Sequence, residues 1–242
     1  MYWLFWVIPG YILWKVLSSD EQETLKRGKS KKRARKVVTF EERGDLEGPK
    51  VIVIGRTGAG KSSFINMLYG EPVLAVGPVA STTRWVEGVR VDFKHSNAVL
   101  VDTPGYGEIM TSEDYSSGLV HYVRKHKKEV RLVILIIQAD SKAHAEDKRI
   151  LSKIIQEHPK TKAIIVLSQV DKMRPIREQL EGSEWPLKIK RDATLKNKNI
   201  KKKINEISKQ FGFEPNSITP SASDEFQFNR RKVLKLIENS LN

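Results

Sequence analysis

One glycine-rich segment restricts the possible folds of this chain more than any other feature. Residues 55–62 read GRTGAGKS, a G-x-x-x-x-G-K-[ST] pattern, and they directly follow the apolar run of residues 51–54. A buried strand that passes through glycines into a helix places main-chain N–H groups and a helix N-terminus around a phosphate. The segment therefore predicts a nucleoside-triphosphate site rather than an ordinary glycine turn.

The residues of this phosphate loop have separate predicted roles. Glycines allow successive N–H groups to turn toward phosphate oxygens, because they adopt conformations that a side chain would obstruct. Lys61 is expected to reach the β- and γ-phosphates, and Ser62 to offer its hydroxyl to Mg²⁺. The predicted contacts of the loop with the nucleotide come from Gly55, Arg56, Thr57, Gly58, Ala59, Gly60, Lys61, Ser62 and Ser63.

Two later segments supply candidates for the metal and the γ-phosphate. The apolar run of residues 98–101 ends in Asp102, whose carboxylate is expected to hold Mg²⁺ through water. The N–H of Gly105 is expected to meet the γ-phosphate. Thr83 is the candidate for a second Mg²⁺ hydroxyl. A threonine before a strand is usually part of a turn, but its position between the phosphate loop and Asp102 favours the metal role.

A third segment is a candidate for reading the base. Asp171 follows the apolar strand of residues 163–167, and its carboxylate can accept from N1 and N2 of guanine. Adenine has no matching pair of donors, so a buried carboxylate would reject it. The alternative is a helix N-cap. The predicted base-side contacts are Ser168, Gln169, Asp171, Lys172, Ser221 and Ala222, the last two through the main chain of a loop after a short strand.

These motifs resemble those of TRAFAC-class GTPases of the Era-like group, and are most similar to small bacterial proteins described as ribosome-binding GTPases. The resemblance covers residues 49–242 and is most specific at residues 60–66 and 82–84. It implies binding of GTP and GDP, Mg²⁺ dependence and slow GTP hydrolysis that a partner or a homodimer raises. It also implies switching around Thr83 and Gly105, which with Lys61 are the expected catalytic residues.

The sequence departs from the family pattern in three places. The usual Asn-Lys-x-Asp base motif is replaced by residues 168–171, SQVD, which predicts weakened affinity for GTP. Gly58 stands where potassium-activated members carry Asn, so potassium stimulation is not predicted. Tyr106 follows Gly105 where many GTPases place a water-orienting Gln, so no obvious residue of this chain positions the nucleophile.

The N-terminus has a different character. Residues 1–17 read MYWLFWVIPGYILWKVL, which is uncharged through Trp14, and residues 26–36 are basic without any acid. The first stretch is short for a membrane span, which needs about 20 residues, and Pro9-Gly10 interrupts it. Its aromatic residues suit the headgroup region, and basic residues beside it favour the cytoplasmic side of an anionic membrane. A signal peptide and a core helix are the alternatives.

The predicted organisation is a hydrophobic membrane anchor in residues 1–18, a basic linker in residues 19–48 and a GTPase domain in residues 49–242. The chain has no cysteine, which excludes disulfides and thiolate metal sites. The net charge of +14 includes a second basic cluster in residues 188–203. This cluster is read as a helix whose lysines project outward, as a solvated face or as a surface for RNA, the ribosome or anionic lipid.

Strands that alternate with helices predict an α/β P-loop GTPase fold with a mostly parallel, six-stranded sheet covered by helices on both faces. The strand in residues 85–93 has the alternation of an edge strand. The leading hypothesis is a GTPase tethered to the cytoplasmic face of a membrane, the bacterial inner membrane in particular. The alternative is a nucleotide-gated binding module that hardly hydrolyses and recruits RNA or ribosomes to the membrane.

Overall fold

The computed structural model describes residues 6–8, 11–13, 40–44, 46–76, 85–93, 96–107, 110–175, 195–223 and 227–241. The chain divides into two units, Met1–Lys36 and Val37–Asn242. In the first unit, strands β1 (Trp6–Ile8) and β2 (Tyr11–Leu13) pair antiparallel. The rest of the predicted membrane anchor lies outside the described residues. Within the described ranges, every helix is too short or too polar to cross a membrane.

The second unit is built on one sheet of seven strands. Its strands in chain order are β3 (Glu42–Gly44), β4 (Lys50–Gly55), β5 (Val86–Asp92), β6 (Asn97–Asp102), β7 (Val130–Gln138), β8 (Lys162–Ser168) and β9 (Ile218–Pro220). Their order across the sheet is β3-β5-β6-β4-β7-β8-β9. Only the β5–β6 pair is antiparallel among these neighbours. The predicted α/β fold with a mostly parallel sheet is confirmed.

Helices cover both faces of this sheet. They are α1 (Lys61–Tyr69), α2 (Ser112–Lys125), α3 (Ala145–Glu157), α4 (Leu195–Phe211) and α5 (Arg230–Leu241). Side chains of a strand point alternately to its two faces. Ile52 and Ile54 of β4 lie in one core with apolar residues of α2, α3 and α4. Val51 and Val53 lie in the other core with residues of α1 and α5.

The sheet has one more strand than the sequence predicted. β3 lies in the segment assigned to the basic linker and pairs parallel with β5, so β5 is an interior strand and not an edge strand. The three residues of β3 carry no apolar pattern, and contacts with distant residues hold them. Phe40 packs against the core, and Glu42 accepts hydrogen bonds from Lys125, 2.7 Å away, and from the ring of His126.

Candidate nucleotide-binding site

Three loops meet at one edge of the sheet because the strands before them are parallel. The phosphate loop follows β4, Asp102 ends β6, and the base-side segment follows β8. β4 pairs with β6 on one side and β7 on the other, and β7 pairs with β8. Ligands of open α/β sheets bind at the carboxyl ends of the strands. The topology therefore brings the predicted phosphate, metal and base groups to the same edge.

The phosphate loop turns into α1 at Gly60. This residue is the N-cap of α1 and has φ 89°, a left-handed conformation that favours glycine. Its carbonyl accepts the first helical hydrogen bond from the N–H of Phe64 at 2.8 Å. The first turn of α1 contains no acidic residue. The positive end of the helix dipole thus faces the loop without a competing carboxylate from that turn.

Lys61 lies folded over the loop that precedes it. Its Nζ donates to the carbonyl oxygens of Gly55 at 3.2 Å and of Arg56 at 3.1 Å. The side chain is buried, and this burial lowers the pKa of Lys61, while the nearby Asp102 carboxylate acts in the opposite direction. A buried ammonium at the centre of a glycine loop is placed to meet phosphate oxygens in surroundings where water screens it weakly.

The two predicted metal-side groups that the structure describes are in contact. Ser62 Oγ donates to Asp102 Oδ2 at 2.6 Å. A hydroxyl and a carboxylate form an oxygen-only donor set of the kind that Mg²⁺ prefers, so these residues fit a magnesium ion. The segment after Asp102 is fixed by Thr103, whose hydroxyl donates to the carbonyl of Val53 at 2.8 Å. Thr83 lies outside the described residues, and its metal role stays a prediction.

Gly105 is required by its close contact with the phosphate loop. A Cβ at this position would come within 2.5 Å of Thr57 Oγ1 and 2.7 Å of the Thr57 nitrogen. The N–H of Thr57 donates to the carbonyl of Tyr106 at 3.1 Å. The N–H of Ala59 donates to the carbonyl of Arg56 at 3.2 Å. These two predicted phosphate donors are therefore engaged within the protein in this conformation.

Tyr106 is buried, and its side chain is directed toward the start of α3. Its hydroxyl donates to Asp147 Oδ1, and its ring lies 5.0 Å from that of Tyr115 between centroids. The side chain is buried, which raises the pKa of Tyr106, and the adjacent Asp147 carboxylate raises it further. A hydroxyl that is committed to a buried carboxylate is not available to orient an attacking water.

Two acidic residues at the start of α3 also hold the phosphate loop. The sequence did not predict this contact. Arg56 Nη2 lies 3.3 Å from Glu146 Oε2, and Arg56 Nε lies 3.6 Å from Asp147 Oδ2. In the sequence, these acids read as ordinary first-turn residues of a helix. Only the packing of α3 against this edge shows that they bind Arg56.

The base-side segment is attached to the phosphate loop by the residues that depart from the family motif. Ser168 Oγ donates to the carbonyl of Ala59 at 2.7 Å. Gln169 has φ 56°, and its Nε2 donates to the carbonyl of Gly58 at 3.0 Å. Lys172 Nζ donates to Gln169 Oε1 at 3.3 Å. Ser168 and Gln169, which replace the Asn and Lys of the family motif, therefore hold the base-side segment against the phosphate loop.

The other predicted base-side residues lie beside this segment. Asp171 belongs to a short 3-10 turn, Val170–Lys172. Ser221 is buried, and its N–H donates to the carbonyl of Leu167 at 2.8 Å, while its own carbonyl accepts from the N–H of Val170 at 3.4 Å. Ala222 forms an isolated bridge with Phe228. The loop after β9 therefore borders the segment that carries Asp171.

Two lysines of the predicted outward-facing cluster point inward instead. Lys196 and Lys203 lie seven positions apart on α4 and are buried, with 1% and 9% of their surface exposed. This spacing is nearly two helical turns, so both lie on the face that carries Ile200 and Ile204. Lys196 Nζ donates to the carbonyl of Asp171 at 2.6 Å. The prediction that these two lysines project outward is wrong.

Comparisons with known proteins agree with this geometry. The family described as 50S ribosome-binding GTPase matches residues 50–169. The tRNA modification GTPase MnmE of Streptococcus pneumoniae serotype 4 is 34% identical over 178 residues, which cover 73% of this chain and 37% of MnmE. The chain thus spans little more than a third of the length of this relative.

Two solved structures of Era share the fold. Era of Aquifex aeolicus, bound to GDP and AlF4⁻, is 24% identical with a TM-score of 0.58, and the match covers 81% of this chain and 58% of that one. Era in complex with MgGDPNP and a fragment of 16S ribosomal RNA is 22% identical with a TM-score of 0.59, covering 81% and 57%. With the phosphate loop, the Ser62–Asp102 pair and the base-side segment at one edge, residues 50–169 belong to the 50S ribosome-binding GTPase family, and the chain is an Era-like P-loop GTPase of the TRAFAC class.

Proposed function

We propose that this chain is a slow GTPase that acts as a nucleotide-dependent switch at the cytoplasmic face of a membrane. One observation carries the nucleotide part of the proposal. The phosphate loop is bonded to the base-side segment through Ser168 and Gln169, and α1, which begins at that loop, is bonded to Asp102 through Ser62. These bonds support a single site in which groups for the phosphates, the metal and the base lie together.

The proposed reaction is attack of water on the γ-phosphate of GTP. Catalysis of this reaction rests chiefly on positioning and on neutralising charge. Lys61 would bind the β- and γ-phosphate oxygens, and the N–H of Gly105 would contact the γ-phosphate. Ser62 and Asp102 would hold Mg²⁺, which neutralises charge on the phosphates when bound. Because Gly105 lies against Thr57, loss of its γ-phosphate contact would affect the phosphate loop and the segment that follows Asp102 together.

The commitment of Tyr106 to Asp147 supports a low intrinsic rate. Single-turnover hydrolysis of GTP by the purified chain tests this. We expect a slow rate that rises on addition of a partner, and the same rate in sodium and in potassium salts because Gly58 replaces the potassium-associated Asn. Fast hydrolysis by the isolated chain would contradict the proposal.

Membrane attachment is the second part of the proposal. The aromatic residues of the N-terminal stretch and the basic residues 26–36 support it, because an apolar segment beside a cluster of cations binds anionic membranes. The test is sedimentation with vesicles of anionic or neutral lipid. We expect the full chain to sediment with anionic vesicles, and a chain without residues 1–17 to stay in solution while it still binds GTP. Equal sedimentation of both chains would contradict an N-terminal anchor.

The second candidate is a nucleotide-gated module that binds RNA or the ribosome. Exposed lysines on the outer side of α4 favour it, namely Lys198, Lys201, Lys202 and Lys209. Its test compares ribosome binding in the presence of GDP with ribosome binding in the presence of a non-hydrolysable GTP analogue. Light scattering of the same samples detects a homodimer. Nucleotide-dependent ribosome binding with negligible hydrolysis supports this candidate over the first.

A further inference from the structure

The start of α4 holds the segment that carries Asp171. Lys196 Nζ donates to the Asp171 carbonyl at 2.6 Å, and Asn199 Nδ2 donates to the Arg174 carbonyl at 3.0 Å. Both bonds join one helical turn to the short stretch that follows β8. No local sequence pattern connects these residues, because they lie 25 positions apart in each pair.

The burial of Lys196 requires an explanation. Only 1% of its surface is exposed, and removing an ammonium group from water costs several kcal/mol unless hydrogen bonds replace the lost hydration. An apolar residue would fill the same space in a helix face of isoleucines without that cost. A lysine at this position is therefore accounted for by what its ammonium group binds, and the main-chain carbonyl of Asp171 is one of these partners.

We infer that Lys196 is a positioning residue for guanine recognition: it fixes the main chain of Asp171, and Asp171 binds the base. This inference rests on the proposed GTP binding and on the role of Asp171 within it. The contacts of a carboxylate with N1–H and N2–H of guanine are directional, and hydrogen bonds weaken steeply when donor and acceptor are misaligned. A segment that shifts when its anchor is removed loses the second contact before it loses affinity for the phosphates.

The chain offers a matched control on the same helix face. Lys203 is also buried, and its Nζ donates to the carbonyl of Ser141 at 2.7 Å and to Glu206 at 3.0 Å. Ser141 follows β7 and not the strand that leads to Asp171. Replacing either lysine by Met removes a buried ammonium group that binds a main-chain carbonyl, but only the change at Lys196 removes a direct bond to Asp171.

The experiment measures equilibrium affinities for GTP and ITP by displacement of fluorescent GDP from the full chain. Inosine lacks the 2-amino group, so the ratio of the two affinities reports the second contact of Asp171. We expect wild type to prefer GTP by about tenfold, as one hydrogen bond to a charged group implies. Lys196→Met is expected to reduce the ratio to about twofold or less, and Lys203→Met to leave it within about twofold of the wild-type value.

Each outcome decides the inference. An unchanged GTP-to-ITP ratio in Lys196→Met, or an equal fall in Lys203→Met, overturns the positioning role and shows general destabilisation. If Lys196→Met does not fold, Lys196→Gln gives the same comparison, because its shorter amide cannot keep the bond to Asp171 at its present length. A wild type that binds ATP as tightly as GTP removes the guanine assignment itself, whereas a selective wild type with an equally selective variant overturns only the role of Lys196.

Discussion

The two ends of the nucleotide site are built by different means. At the phosphate end, a loop of glycines turns directly from β4 into α1, and Lys61 bonds to carbonyls of that same loop. At the base end, Asp171 follows a segment that departs from the family motif and is held by bonds from other parts of the chain. Ser168 and Gln169 bind the phosphate loop, and Lys196 binds Asp171 from α4.

The difference shows where a substitution can be tolerated. The left-handed turn of the phosphate loop into α1 requires the glycines of its own motif, so that motif must stay intact. The base-side segment is positioned by a set of separate hydrogen bonds, each worth about 1 kcal/mol in a neutral pair. The loss of Asn and Lys from its motif is therefore compatible with a folded site, because Ser168 and Gln169 form other bonds to the same loop.

The largest effect is expected from Lys61→Ala at the phosphate end. This change removes charge-assisted bonds to the β- and γ-phosphates, so affinity for GTP should fall by about a hundredfold or more, and affinity for GDP, which has no γ-phosphate, should fall by less. Isothermal titration calorimetry measures it, with Lys198→Ala as a control for loss of an exposed lysine. Hydrolysis of GTP at the wild-type rate by Lys61→Ala would contradict the assignment of the phosphate site.

At the base end, Asp171→Ala should remove the preference for GTP over ATP while the phosphate end stays intact. The expected fall in the ratio of the two affinities is about a hundredfold, because adenine offers the Asp171 carboxylate no matching pair of donors. Competition with inorganic tripolyphosphate provides the control and should be unchanged. A parallel loss of tripolyphosphate affinity would show that the two ends do not act separately.

Ser168→Ala tests the connection between the two ends. It removes the hydroxyl that donates to the Ala59 carbonyl, and we expect GTP affinity to fall about fivefold with a loss of about 1 kcal/mol in the free energy of unfolding. Gln169→Ala should have a smaller effect, because the bond of Gln169 to Gly58 is exposed to water. Urea denaturation and nucleotide titration measure both. A larger effect of Gln169→Ala on affinity would show that its side chain contacts the base.

The smallest effect on turnover is expected from Tyr106→Phe. The change removes the hydroxyl that binds Asp147, so the free energy of unfolding should fall by about 1–3 kcal/mol, as for a buried carboxylate that loses a donor. Single-turnover hydrolysis should stay within about twofold of wild type, because the hydroxyl is bound to Asp147 and is not available to orient an attacking water. A collapse of the hydrolysis rate in a variant that still binds GTP would make Tyr106 a catalytic residue.

The sequence predicted the central elements of the fold closely. The helix expected after the glycine-rich segment is α1, Lys61–Tyr69, and the apolar run of residues 51–54 lies in β4, Lys50–Gly55. The apolar runs before Asp102 and Ser168 are β6 and β8. These predictions succeeded because apolar periodicity and glycine conformation are properties of neighbouring residues. The family identity followed from the same motifs and is confirmed.

Other features were decided only when distant residues met. β3 has no apolar pattern and exists because Phe40 and Glu42 contact α2 and the residue that follows it. Lys196 and Lys203 belong to a lysine-rich segment that is typical of a solvated helix face, yet the tertiary structure buries both side chains.

By itself, therefore, the sequence determined a phosphate loop between a strand and a helix, because its local conformation and its chemistry depend on the same few residues. The tertiary structure decided which charged side chains lose their water and which carbonyls they bind in return. The cost of burying a charge depends on the partners that surround it, and for Lys196 and Asp147 those partners lie far along the chain.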